Sequence, residues 1–167
     1  MVTTLQVIAA FHVFFGVLWV GASLYIDAAW YRPWKNTNTV GELRLWQRIL
    51  HPTGPFMGIS SLLVIITGFI YMFAKYRTDF GVIWASPSGR LVIISLILVL
   101  IVFVYSLVVT NRLSTRLVRL ELPDDNGGAL PGEATRLMGG IMRASIIATA
   151  IIVFVLILMV LAATGGV

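Results

Sequence analysis

Residues 10–30 read AFHVFFGVLWVGASLYIDAAW, an apolar run that nevertheless carries one histidine, His12, and one carboxylate, Asp27. About 20 apolar residues rising ~1.5 Å each cross the roughly 30 Å hydrocarbon layer of a bilayer, so this stretch predicts a membrane-spanning helix from about Thr4 to Trp30. An anchor alone needs neither ionisable group. Three further segments have the same length and character: Pro55–Tyr76, Arg90–Arg112 and Leu137–Ala163. Together they predict an all-α integral membrane protein, an antiparallel four-helix transmembrane bundle forming a single membrane domain over residues 1–167. Between the first two spans, Leu43, Trp46, Ile49 and Leu50 fall on one side of a helix over Glu42–Leu50, which predicts a short helix lying in the interface.

Composition agrees. The chain is 59% hydrophobic and only 11% charged, too apolar for a soluble domain of its length. It contains no cysteine, which excludes disulfides, thiolate zinc sites, iron–sulfur clusters and thioether-attached haem. Any metal or cofactor falls to His, Met, carboxylates or backbone. The net charge of +5 sits beside apolar segments, where it meets anionic lipid, and does not point to nucleic acid. The start of the chain has no basic region before its apolar run and no clear cleavage site, so it reads as a first transmembrane helix rather than a signal peptide. Arg32, Lys35, Arg44, Arg48, Arg112, Arg116, Arg119 and Arg136 follow the first and third helices, whereas only Lys75, Arg77 and Arg90 follow the second. The positive-inside rule then places the protein in the cell membrane with both termini outside the cytoplasm. The linker ELPDDNGGALPGEA, residues 121–134, is expected to be mobile. TDFGVIWASPSG, residues 78–89, reads as a compact loop anchored at the interface by Trp84.

On an ideal helix His12, Gly16, Trp19, Ser23, Asp27 and Trp30 lie within about 80° of one another. A stripe that holds the polar atoms and the indoles is expected to face the other helices. Small residues align on these: Gly58, Ser61 and Gly68 with Met72 in the second helix, Ser95 and Ser106 in the third, and Gly140, Ala144 and Ala148 in the fourth. Close helix packing explains such stripes, and room for a flat ligand is the alternative. Asp27 and Arg143 are intramembrane charges of opposite sign at similar expected depth, and they are expected to pair between the first and fourth helices. His12 lies about 12 Å inside the opposite surface, where it either bonds Ser95 or Thr67 as a neutral ring or ligates a metal. His51, at the other face, cannot share an iron with it.

FHVFFGVLWVGASLY spaces His12, Gly16, Trp19, Gly21 and Tyr25 as His-x3-Gly-x2-Trp-x-Gly-x3-Tyr. This resembles the first helix of a group of small bacterial membrane proteins. They include HemJ-type protoporphyrinogen oxidases, copper-resistance D membrane proteins and the membrane half of bacterial membrane-bound urate oxidases. LLVIITGFIYMF, residues 62–73, is similar to their second helix. The resemblance implies a b-type haem with His12 as axial ligand to the iron. Gly16 and Gly68 are then expected to leave space beside the porphyrin, with Trp19 alongside, and Met72 or water to be a weak second ligand, because no second histidine lies at that depth. It implies a redox or electron-transfer role, with quinone as a partner, alone or within a larger respiratory assembly. The chain departs from the group in having no lysine after Lys75, which speaks against protoporphyrinogen oxidation. Absence of cysteine removes any attached cytochrome c portion, and few Met and His residues face outward for copper. The competing expectation is a non-catalytic structural subunit of a multi-subunit membrane complex or a homo-oligomer. Copper or small-solute transport has little beyond the distant resemblance.

Overall fold

The structure is a computed structural model that describes residues 3–76 and 79–164. Arg77, which enters the loop-charge comparison, and the extreme ends of the chain lie outside the described residues. The described residues are 87% helical and include no strand. Helix α1 runs Thr4–Lys35, α2 Val40–Tyr76, α3 Phe80–Ala85, α4 Pro87–Tyr105, α5 Asn111–Val118 and α6 Gly132–Ala163, with a π-helical turn over Ser106–Thr110 joining α4 to α5. Four helical stretches, Thr4–Trp30, Val40–Tyr76, Pro87–Val118 and Gly132–Ala163, are long and apolar enough to cross a membrane, as in a multi-pass membrane protein.

Each begins for a local reason. Thr3 caps α1, with its hydroxyl accepting from Gln6 N–H while the Gln6 side chain accepts from Thr3 N–H, a reciprocal capping box. Thr39 and Glu42 do the same for α2: Glu42 N–H donates to Thr39 Oγ1, and the Glu42 carboxylate accepts from the backbone of Asn38 and Thr39. Asp79 caps α3 through Gly81 and Val82 N–H. Ser86 caps α4 through Gly89 N–H, with Pro87 in the first turn, where a missing N–H costs nothing. At this corner Gly89 is indispensable, because a Cβ there would stand 2.0 Å from the Ile83 carbonyl oxygen.

Four expectations are revised. The segment Glu42–Leu50 is not a separate helix: α2 runs unbroken from Val40 through Pro52 and Pro55. At 37 residues it spans about 55 Å, well beyond a roughly 30 Å apolar layer. The third span likewise reaches from Pro87 to Val118, beyond the expected Arg90–Arg112. The linker is fastened to the start of α2: Val40 N–H donates to Gly128 O, Gly41 N–H to Asn126 O, and Thr39 bridges Ala129. Arg44 adds Nη1 to Asn126 Oδ1 at 2.8 Å and Nη2 to the Pro123 carbonyl at 2.7 Å. Turn-forming composition correctly marks a loop, yet polar turns also supply the carbonyls that pin it. Residues 80–85 form α3 with Trp84 exposed, where a loop was expected.

Two cores result. Where α1 ends and α2 begins, Trp34, Leu43, Trp46, Leu117, Leu137 and Ile141 pack together. The Trp34 and Trp46 rings meet edge-on at 4.9 Å. Their indole N–H groups donate to the Met138 carbonyl and to Thr37 Oγ1 respectively, as buried indoles must. Within the spans, Trp19, Val64, Val102, Ala148 and Ile152 form the second cluster.

Candidate functional site

His12 meets helix α2. Its Nδ1 lies 3.1 Å from the Val64 carbonyl oxygen and 3.2 Å from Thr67 Oγ1. A carbonyl oxygen only accepts, so Nδ1 carries the ring proton. The Thr67 hydroxyl has one hydrogen and directs it to the Leu63 carbonyl at 2.6 Å; its lone pair then accepts from Nδ1. With the proton on Nδ1, Nε2 is a bare lone pair, and no hydrogen-bond partner for it is present among the described residues. An Nδ1–H bonded to a backbone carbonyl is the arrangement that fixes a metal-ligating histidine through its other nitrogen.

The surroundings assign different roles to the other expected haem contacts. A Cβ at Gly68 would stand 2.9 Å from His12 Cε1. The space at Gly68 is therefore occupied by the imidazole itself and is not left for a porphyrin, which corrects that expectation: a ring that reaches Val64 O must lie against the next turn of α2. Gly16, one turn further along α1, is different, since a Cβ there would meet nothing within 4 Å. Trp19 is 5% exposed and packs in the span core with Val64 and Ile152. Met72 is buried one turn beyond Gly68. Of the expected haem contacts, only His12 presents a strong ligand atom for iron, its Nε2. No group of three or more His, Cys, Asp or Glu side chains is gathered for a bare metal ion among the described residues.

Asp27 and Arg143 do not meet. The Asp27 Oδ1 accepts from Ser145 Oγ at 2.5 Å, and Arg143 is exposed with Nε donating to Gly139 O in its own helix. The expected depth matches, but the face does not. Leu137, Ile141, Ala144 and Ala148 are the buried register of α6, and on an ideal helix residue 145 borders it while 143 lies well outside. Ser23, on the same stripe as Asp27, bonds the Trp19 carbonyl. Ser95 Oγ is buried without a hydrogen-bond partner, so it is not the partner of His12.

At the far end of α2, Gln47 was not foreseen. Its Nε2 donates to the Leu117 and Leu120 carbonyls at 2.8 and 3.1 Å, closing the C-terminal end of α5 onto α2. Beside it, His51 is exposed and borders an open groove with Arg44, Gln47, Arg48 and Val118. Searched against known proteins, the chain matches no family model, no curated protein and no solved structure.

Proposed function

We propose that the chain is a small multi-pass membrane protein that holds a b-type haem through His12 and carries electrons, with a quinone as redox partner, alone or inside a larger respiratory assembly. The observation that supports this most is the state of the His12 ring. A residue needed only to tie α1 to α2 requires one donor, which an asparagine supplies. What histidine adds is the bare Nε2 directed by a proton fixed on Nδ1. The haem supplies one-electron chemistry at its iron when bound. His12 would hold and orient that iron, and the Val64 carbonyl and Thr67 would hold the ring in place.

In this reading the four long helices form an antiparallel bundle in the cell membrane with both termini outside the cytoplasm. Contact pairs that ascend one helix while descending its neighbour support the antiparallel order. Along α1, His12 meets Val64 and Trp34 meets Trp46; Asp27 meets Ser145 and Trp34 meets Met138. The bias of basic residues supports the orientation.

The test is the absorption spectrum of protein purified from haem-sufficient cells. A Soret band is expected, and His12→Ala removes it while circular dichroism shows the helices intact. Wild-type protein that is helical and lacks the band overturns the haem reading and leaves the non-catalytic packing subunit in its place.

A further inference from the structure

We infer that the α2 face bearing Arg44, Arg48 and His51 is a binding site for an anionic phospholipid, with the headgroup phosphate on Arg48 and His51 and an acyl chain along the apolar continuation of the same face. The inference is independent of the haem reading.

The headgroup end is a groove of about 500 Å³ bordered by Arg44, Gln47, Arg48, His51 and Val118. Its walls are fixed, because Gln47 holds α5 through two carbonyls and Arg44 holds the linker through Asn126 and Pro123. Asp124 lies 3.9 Å from Arg44 Nη2 and offsets part of that charge. Arg48 and His51 have neither a hydrogen bond nor an ion pair among the described residues, and both are exposed. They sit one turn apart on one side of α2, so both can reach a single phosphate. Pro52 and Pro55 stand four residues after Arg48 and His51 within α2. Proline has no N–H, so the carbonyls of Arg48 and His51 lose their ordinary i+4 donor.

The chain end is what distinguishes a lipid from free phosphate. On an ideal helix, residues 44, 48, 51, 55, 58, 59, 62 and 66 lie within about 100° of one another. Past His51 this strip turns apolar and stays open: Ile59, Leu62 and Ile66 are 60%, 45% and 44% exposed. At Gly58 a Cβ would meet nothing within 4 Å. His51 and Arg48 stand roughly 6 and 10 Å along the axis from Pro55, the depth of the headgroup layer outside the hydrocarbon. A cationic groove above an exposed apolar helix face matches a phospholipid, headgroup above and acyl chain below.

The experiment measures lipid bound to purified full-length protein after exchange with mixed micelles of phosphatidylglycerol and phosphatidylcholine. Wild-type protein is expected to retain phosphatidylglycerol preferentially. Arg48→Gln should reduce that preference about fivefold, the effect of one basic side chain near a charged headgroup layer, and adding His51→Gln should reduce it further. Gly58→Leu, which leaves every headgroup contact in place, should also lower retention by adding bulk where the acyl chain would lie along the strip. Equal retention of the two lipids by wild-type protein overturns the site. Displacement of the lipid by millimolar inorganic phosphate, with Gly58→Leu without effect, also overturns it, since the groove would then recognise a phosphate group alone. Unchanged helicity in circular dichroism for all variants ties the loss to binding.

Discussion

At His12 a single proton position carries the functional reading, and it rests on two neighbours contributed by α2. Thr67→Val removes the hydroxyl that accepts from Nδ1 while leaving the Val64 carbonyl, so the ring stays tethered. Any haem bound there should keep its Soret band, with a modest shift in midpoint potential read by redox titration. Gly68→Ala acts more severely, because its methyl would stand 2.9 Å from Cε1 and must push the ring off Val64. Overpacking of this kind costs about 1–3 kcal/mol. Combining it with His12→Ala should cost much less than the sum of the two single changes, since the methyl then enters space the ring has vacated. Additive losses in thermal unfolding would show that Gly68 serves some other contact. A parallel contrast applies to Asp27. Ser145→Ala should destabilise by about 0.6–2 kcal/mol, the range of interhelical hydrogen bonds in bilayers. Arg143→Leu, at an exposed position bonded only within its own helix, should stay within about 0.5 kcal/mol. The reverse ranking would restore the ion pair.

Among the elements, α2 carries the most roles. Its first turns form a core with Trp34 and Leu117, the basic groove and the prolines follow, and the turn carrying Val64 and Thr67 supports His12. Two prolines do not end it, because each removes a single i+4 donor, from the Arg48 and His51 carbonyls, and packing on both sides holds the line. The corner between α3 and α4 is its opposite, a short element held by caps and a single close approach. Gly89→Ala would bring a Cβ to 2.0 Å from the Ile83 backbone oxygen, and neither backbone can retreat without opening the Ser86 cap. We expect loss of more than ~2 kcal/mol, and cleavage near residues 80–86 by added protease as the earliest sign. A variant as resistant as wild type would show that the corner reforms around the methyl. The π-helical turn at Ser106–Thr110 inserts one residue into the third span, and it shifts the register of α5 so that Leu117 and Val118 meet α2.

For the whole molecule, the lopsided distribution of basic residues and the tethered linker place two loops at one end and the α3 corner at the other. The chain has no cysteine, so single cysteines report sidedness directly. Ala85→Cys should react with an impermeant maleimide in intact cells, whereas Asn36→Cys and Ala129→Cys should react only after the membrane is opened. The reverse pattern would invert the orientation. Much of this architecture was determined by the sequence alone, because spans follow from composition and length: a backbone in hydrocarbon must bond itself, and roughly 20 apolar residues in a row leave a helix as the outcome. The face of α1 that carries His12 and Asp27 was equally determined, by a 100° step. What only tertiary structure decided is the partner across each interface. Depth along a helix is additive in residue number and survives small errors, but azimuth turns through 100° per residue, so a shift of two positions exchanged Ser145 for Arg143. The same rotation gave the space at Gly68 to an imidazole instead of a porphyrin. The long arm of α2 and the fastened linker were hidden for a different reason: their cohesion comes from indoles, carbonyls and one arginine brought together from three separate segments, which no local window contains.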